Sequence, residues 1–139
     1  MGVELADTSA WTNRHKASEI REDFDRRLVR REIATCEMVM LELLWTTRDL
    51  ADFRAARGEL ESVPQLRVDR RAWSRAVDVF ERMAEDGPLH HRRVKLPDLL
   101  IAAAAELAEV PVCHYDRDFE LIAAVTGQPV RAIAPLGSL

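Results

Sequence analysis

The stretch Val110-Pro111-Val112-Cys113-His114-Tyr115-Asp116-Arg117-Asp118-Phe119-Glu120-Leu121-Ile122 runs from a short apolar segment, through two acids, into a helical pattern. Acids placed where a strand hands over to a helix have a defined position in an open α/β sheet. Ligands bind there in the crevice outside the carboxyl ends of the strands, so Asp116 and Asp118 are expected to face a crevice and not a core. Three more acids stand in similarly apolar settings far away in the chain. They are Asp7 after Val3-Glu4-Leu5-Ala6, Glu42 inside Val39-Met40-Leu41-Glu42-Leu43-Leu44, and Asp98 ahead of Leu99-Leu100-Ile101-Ala102. Together they would make one acidic pocket.

On either side of that stretch the chain alternates strand and helix patterns. Residues 3–6 read as a short buried strand, closed by Asp7-Thr8-Ser9, residue types that favour turns and helix N-caps. Over 17–31, Ile20, Phe24 and Leu28 recur at helical spacing, with Glu22/Arg26 and Asp23/Arg27 paired at i,i+4. A second strand is predicted at 33–35. A helix over 37–57 follows, apolar at Met38, Leu41, Trp45, Leu50 and Phe53, with Gly58 as its interruption. Beyond Pro64, residues 66–68 suggest a third strand, and 70–85 a helix with Trp73, Val77, Phe80 and Ala84 as its core stripe. Gly87-Pro88 opens the basic loop His90-His91-Arg92-Arg93-Val94-Lys95, and Pro97 turns the chain into the helix carrying Asp98. Strands at 110–115 and 129–133 complete the set. Such alternation implies βαβ units and a parallel sheet covered on both faces.

The 139 residues suit one domain, 1–139, with a core of its own. A net charge of −4 excludes a surface that is basic all over, so any nucleic-acid contact must come from a local cluster. Cys36 and Cys113 lie in apolar runs without a CxxC pattern, as reduced buried thiols do. No apolar run approaches the roughly 20 residues of a spanning helix, and no charged-then-apolar leader opens the chain. The expectation is a cytoplasmic protein that does not enter a membrane.

An oxygen-only carboxylate cluster suits a hard cation, and Mg²⁺ or Mn²⁺ is commonly held by a few carboxylates with waters and substrate phosphates around it. Metal-assisted phosphodiester hydrolysis is the chemistry that follows. Zinc fits poorly, because His15, His90, His91 and His114 form no HExxH or similar spacing. A glycine-rich phosphate loop is absent, and Glu120 stands where an aspartyl-phosphate hydrolase would carry Thr.

The motifs Asp7-Thr8-Ser9-Ala10-Trp11, Leu41-Glu42-Leu43-Leu44, Pro97-Asp98-Leu99-Leu100-Ile101-Ala102-Ala103 and Asp116-Arg117-Asp118-Phe119 occur in one order along the whole chain. In this the sequence resembles PIN-domain ribonucleases, specifically the VapC-type toxins of bacterial toxin–antitoxin pairs. The resemblance implies a three-layer α/β/α sandwich with a central parallel five-stranded sheet. It also implies Mg²⁺ or Mn²⁺ on Asp7, Glu42, Asp98 and Asp116, with Asp118 assisting, an RNA substrate cut by water, a homodimer, and a small cognate antitoxin that forms a higher assembly with it. The chain departs from the pattern at His114, where many relatives carry Thr or Ser, which leaves Thr8 or Ser9 to supply a supporting hydroxyl.

Each residue also has a plainer role. Asp7 suits a helix cap, Asp98 the first turn of a helix whose dipole favours an acid, and Glu42 a buried partner for an arginine. For Arg92, Arg93 and Lys95 the choice lies between a solvated loop and RNA phosphates. Trp11, Trp45 and Trp73 suit a core or an interface better than base stacking. The surplus of apolar surface around Trp45 and Phe53 suggests an antitoxin-binding face. The alternative to a nuclease is a PIN-like module that binds RNA or protein without cleaving.

Overall fold

The computed structural model describes residues 2–139. β1 (Glu4–Ala6) is the hub of a parallel sheet, paired on one side with β2 (Ile33–Ala34) and on the other with β3 (Val112–His114), which in turn pairs with β4 (Val130–Ala132). The order is β2-β1-β3-β4. The crossovers leaving β1 and arriving at β3 thus diverge in opposite directions, and the switch point between these two strands is where an α/β sheet opens a crevice. Every residue of β1, β2 and β3 is buried, as in a parallel sheet with both faces covered.

The helices are α1 (Thr8–Asn13), α2 (Ser18–Val29), α3 (Glu37–Trp45), α4 (Leu50–Glu61), α5 (Arg70–Glu85), α6 (Leu96–Leu107) and α7 (Arg117–Thr126). Those of the sheet's crossovers start where a strand stops, and side chains explain the starts. Asp7 caps α1 by accepting from the Ser9 and Ala10 amides, and Asp116 caps α7 by accepting from the Asp118 amide. α6 is almost wholly buried, and its run from Ala102 to Ala105 lets neighbouring backbone approach closely.

Three expectations are corrected. The sheet has four strands among the described residues, not five: Leu66-Arg67-Val68 does not pair, and only a single bridge between Thr35 and Gln65 marks that edge. The helix expected over 37–57 is two helices. It breaks at Thr46-Thr47-Arg48-Asp49, where Asp49 caps a new start by accepting from the Asp52 amide, and Gly58 sits inside α4 without interrupting it. Finally, α5 buries Ala72, Ala76, Val79 and Met83, leaving Trp73 58% and Val77 65% exposed. Small residues win that face because α5 packs on the alanine-rich α6.

The opposite end of the sheet from the acids is closed by charge. Glu4 is buried and accepts from Arg27 Nη1 at 2.8 Å and from Arg131 Nε and Nη2 at 2.8 Å each. Arg27 is itself buried and also holds Asp23 at 3.0 Å.

Candidate metal centre

Four elements deliver acids to the carboxyl end of the β1–β3 pair. Asp7 follows β1, Asp116 and Asp118 follow β3, Asp98 lies in the first turn of α6, and Glu42 projects from α3. Four of the acids, Asp7, Asp98, Asp116 and Asp118, sit at or just inside helix N-termini, where the positive ends of the helix dipoles favour carboxylates. Ligand atoms of Asp98, Asp116 and Asp118 lie within 4.8 Å of one another. Asp118 is buried and turned into this group, on a par with Asp116.

Asp7 and Glu42 stand outside that triad. Asp7 is 2% exposed, and Ser9 Oγ donates to both its oxygens, at 2.8 and 3.0 Å. The same hydroxyl accepts from the Tyr115 amide at 2.8 Å, so Ser9 ties the end of β1 to the loop that carries Asp116. Burial pushes the Asp7 carboxyl up to about 7 against these hydrogen bonds, and the nearby Asp116 charge adds to the rise. Glu42 accepts from Thr8 Oγ1 at 2.8 Å, which anchors it beside Asp7 without an arginine. Thr8 and Ser9 thus both support acids.

Within the triad, burial is again the largest influence on Asp98. It lifts the carboxyl to about 8, helped by hydrogen bonding with Asp118 and the charge of Asp116, and opposed by Lys95. Asp118 behaves oppositely: its burial would raise it, but hydrogen bonds from Asp98 and from Lys95 hold it below the usual carboxylate range. One proton shared between Asp98 and Asp118 accounts for both directions.

Two features were not legible as contacts in the sequence. Lys95 Nζ, expected on RNA phosphates, lies 2.8 Å from Asp116, 2.8 Å from Asp118 and 3.3 Å from Asp98. Its backbone amide also donates to Asp118 at 2.9 Å. The only hint was its position three residues before Asp98. His114, fully buried, accepts the Asp116 amide on Nδ1 at 3.0 Å. A backbone N–H can only donate, so Nδ1 carries the lone pair and Nε2–H faces Glu120 at 3.1 Å. Burial keeps the ring below its ordinary pKa although Glu120 pulls the other way. Arg92 and Arg93 remain at the surface on a 3-10 turn, with Arg93 Nη2 near His90 Nε2 at 3.1 Å.

The donor set fits a divalent cation. It is all oxygen, as hard ions require. Asp98 Oδ2 is buried and accepts no hydrogen bond, and the charge compensating it is the Lys95 ammonium at 3.3 Å. Lys95 already places one positive charge among the three carboxylates, standing in for such an ion.

A PIN-domain model matches residues 5–125. The ribonuclease VapC18 of Mycobacterium tuberculosis is 39% identical over 139 residues, covering 99% of both chains. Among solved structures, the DNA-bound VapBC of Salmonella typhimurium superposes with a TM-score of 0.74 at 20% identity, covering 96% of this chain and all of its counterpart. VapBC-5 of Mycobacterium tuberculosis gives 0.61 at 27% identity, over 95% of this chain and 98% of its own. With the acids gathered at the switch point of a parallel sheet and a relative this similar end to end, the chain belongs to the PIN-domain family, on its VapC ribonuclease branch.

Proposed function

We propose that the protein is a metal-dependent endoribonuclease toxin in which Asp98, Asp116 and Asp118 hold Mg²⁺ or Mn²⁺, with Asp7 and Glu42 completing the acidic wall. The observation that carries this is the convergence of three carboxylates from α6 and the β3–α7 junction around one cationic group, the Lys95 ammonium. A bound divalent ion supplies a Lewis acid and a source of hydroxide near neutral pH. The protein's own groups do the rest. Ser9 and Thr8 fix Asp7 and Glu42, His114 sets the backbone of Asp116, and the low-lying Asp118 stays ionised while Asp98 can retain a proton until a cation competes for it. Water is the nucleophile in this reading, since the Ser9 and Thr8 hydroxyls are committed to Asp7, Glu42 and the Tyr115 amide as supports. Arg92 and Arg93, exposed on the turn ahead of α6, are the groups this reading assigns to RNA phosphates.

The ribonuclease name of the 39%-identical relative supports RNA as substrate, and the VapBC neighbours support a small antitoxin as partner. In this reading the protein is one PIN domain, 1–139, that acts in the cytoplasm as a homodimer and assembles further with its antitoxin. No helix among the described residues is long and apolar enough to cross a membrane.

The test is to incubate purified protein and Asp116→Asn with total RNA, in Mn²⁺ or in EDTA, and to sequence the new 5′ ends. Wild type should produce discrete ends with Mn²⁺ alone, and the variant none. Ends of equal yield in EDTA would remove the metal from the reaction, and no ends in either lane would favour a non-cleaving RNA- or protein-binding module.

A further inference from the structure

We infer that Lys95 is an exchangeable built-in counter-ion: its ammonium occupies the cation position among Asp98, Asp116 and Asp118, and a divalent ion must displace it to bind. This rests on the proposed metal centre. One ammonium reaches three carboxylates, at 2.8, 2.8 and 3.3 Å, which is the placement of a bound cation and not of a surface pair. Two positive charges in so small a ring of acids compete, because at such separations their repulsion offsets much of the attraction that holds either one.

The residue type agrees. The chain contains eighteen arginines and two lysines, Lys16 and Lys95. A planar guanidinium forks onto one carboxylate, whereas a compact ammonium on a flexible stem touches several at once and can leave again. Lys95 is also tethered for exchange. Its backbone amide bonds Asp118 independently of the side chain, so the ammonium can swing away while the loop stays docked. Its side chain is 58% exposed, giving the displaced charge a route to solvent or to a phosphate of the RNA. The consequence is a toxin whose empty pocket is partly neutralised from within and whose divalent-ion requirement is set by a lysine.

The experiment uses the full chain in two arms. In the first, Mn²⁺ binding is measured by calorimetry for wild type and Lys95→Ala. Loss of the competing charge should tighten binding about tenfold, within the range typical of linked sites. In the second, wild type is treated with an amine-acetylating reagent, and modification is followed by mass spectrometry, with exposed Lys16 as the internal standard. Lys95, its ammonium engaged by three carboxylates, should react far more slowly than Lys16 without metal, and saturating Mn²⁺ should bring the two rates together.

Equal or weaker Mn²⁺ binding by Lys95→Ala overturns the inference. So does a Lys95 rate that Mn²⁺ leaves unchanged while calorimetry shows the ion bound; in both cases the metal centre itself survives. Absence of Mn²⁺ heat in wild type and variant alike defeats the metal centre and the inference together. The acetylation arm uses wild type alone, so a variant that folds poorly leaves it decisive.

Discussion

At the scale of single residues, the acids are poised by burial as much as by one another. Asp98 rises to about 8 and Asp7 to about 7 from ordinary values near 3.8. A carboxyl raised by folding contributes stability that is complete below its unfolded pKa and is lost as pH climbs through the folded one. In EDTA, therefore, these two groups should weaken the protein between pH 4 and pH 8. Asn mimics the protonated acid, so Asp98→Asn should be the more stable form at pH 8.5, by on the order of 1–2 kcal/mol, with the gap closing towards pH 5. Parallel urea melts check this, and a gap independent of pH would show that Asp98 does not titrate as described. His114 offers a sharper residue-level test. Asn places an amide oxygen where Nδ1 accepts the Asp116 amide, whereas Gln reproduces only the Nε2 end facing Glu120. His114→Asn should keep Mn²⁺ affinity near wild type, and His114→Gln should lose about tenfold, the usual scale for partners that orient ligands. Calorimetry giving the reverse order would assign the ring a packing role against Phe119 instead.

At the scale of elements, α3 and α4 present the least covered surface. Trp45 is 88% exposed, Leu41 and Leu50 are also exposed, and half-buried Phe53 lines a shallow cavity with Leu50, Thr47 and Asp49. If the antitoxin docks there, Trp45→Ala/Phe53→Ala should weaken capture by the co-expressed antitoxin at least about tenfold, because truncating buried aromatic anchors commonly costs 2 kcal/mol or more. Full capture by a double variant with wild-type melting behaviour would move the docking site elsewhere. The same elements show what sequence can convey. Strand ends and acids at β1 and β3 were legible because short apolar runs stopped at turn-forming acids, and α5 was legible in extent because its periodicity was strong. Its buried face was not: hydrophobicity pointed to Trp73 and Val77, while the close approach of α6 selected Ala72 and Ala76. The break between α3 and α4 was signalled only by a capping Asp49 that a continuous apolar stripe outweighed. Lys95 escaped because Asp116 and Asp118 lie more than twenty residues further along, and a basic loop says nothing about which way one ammonium turns.

At the scale of the whole molecule, the sheet has two electrically distinct ends. Acids with little to neutralise them but Lys95 gather at one, and Glu4 clasped by Arg27 and Arg131 closes the other. Glu4→Gln would leave buried Arg27 with only Asp23 as counter-charge, so the melt should show a loss of about 3 kcal/mol, the usual cost of breaking a buried pair. Mn²⁺ affinity of the folded fraction should stay as it was, and a stability unchanged by the substitution would mean that solvent already screens the clasp. Glu4 and Asp7 also stand at the two limits of one three-residue strand. At about 3.3 Å per residue, β1 acts as a ruler between the clasp and the acids. Its length tolerates no error: one residue added or removed between them lets the chain seat Glu4 or Asp7, but never both.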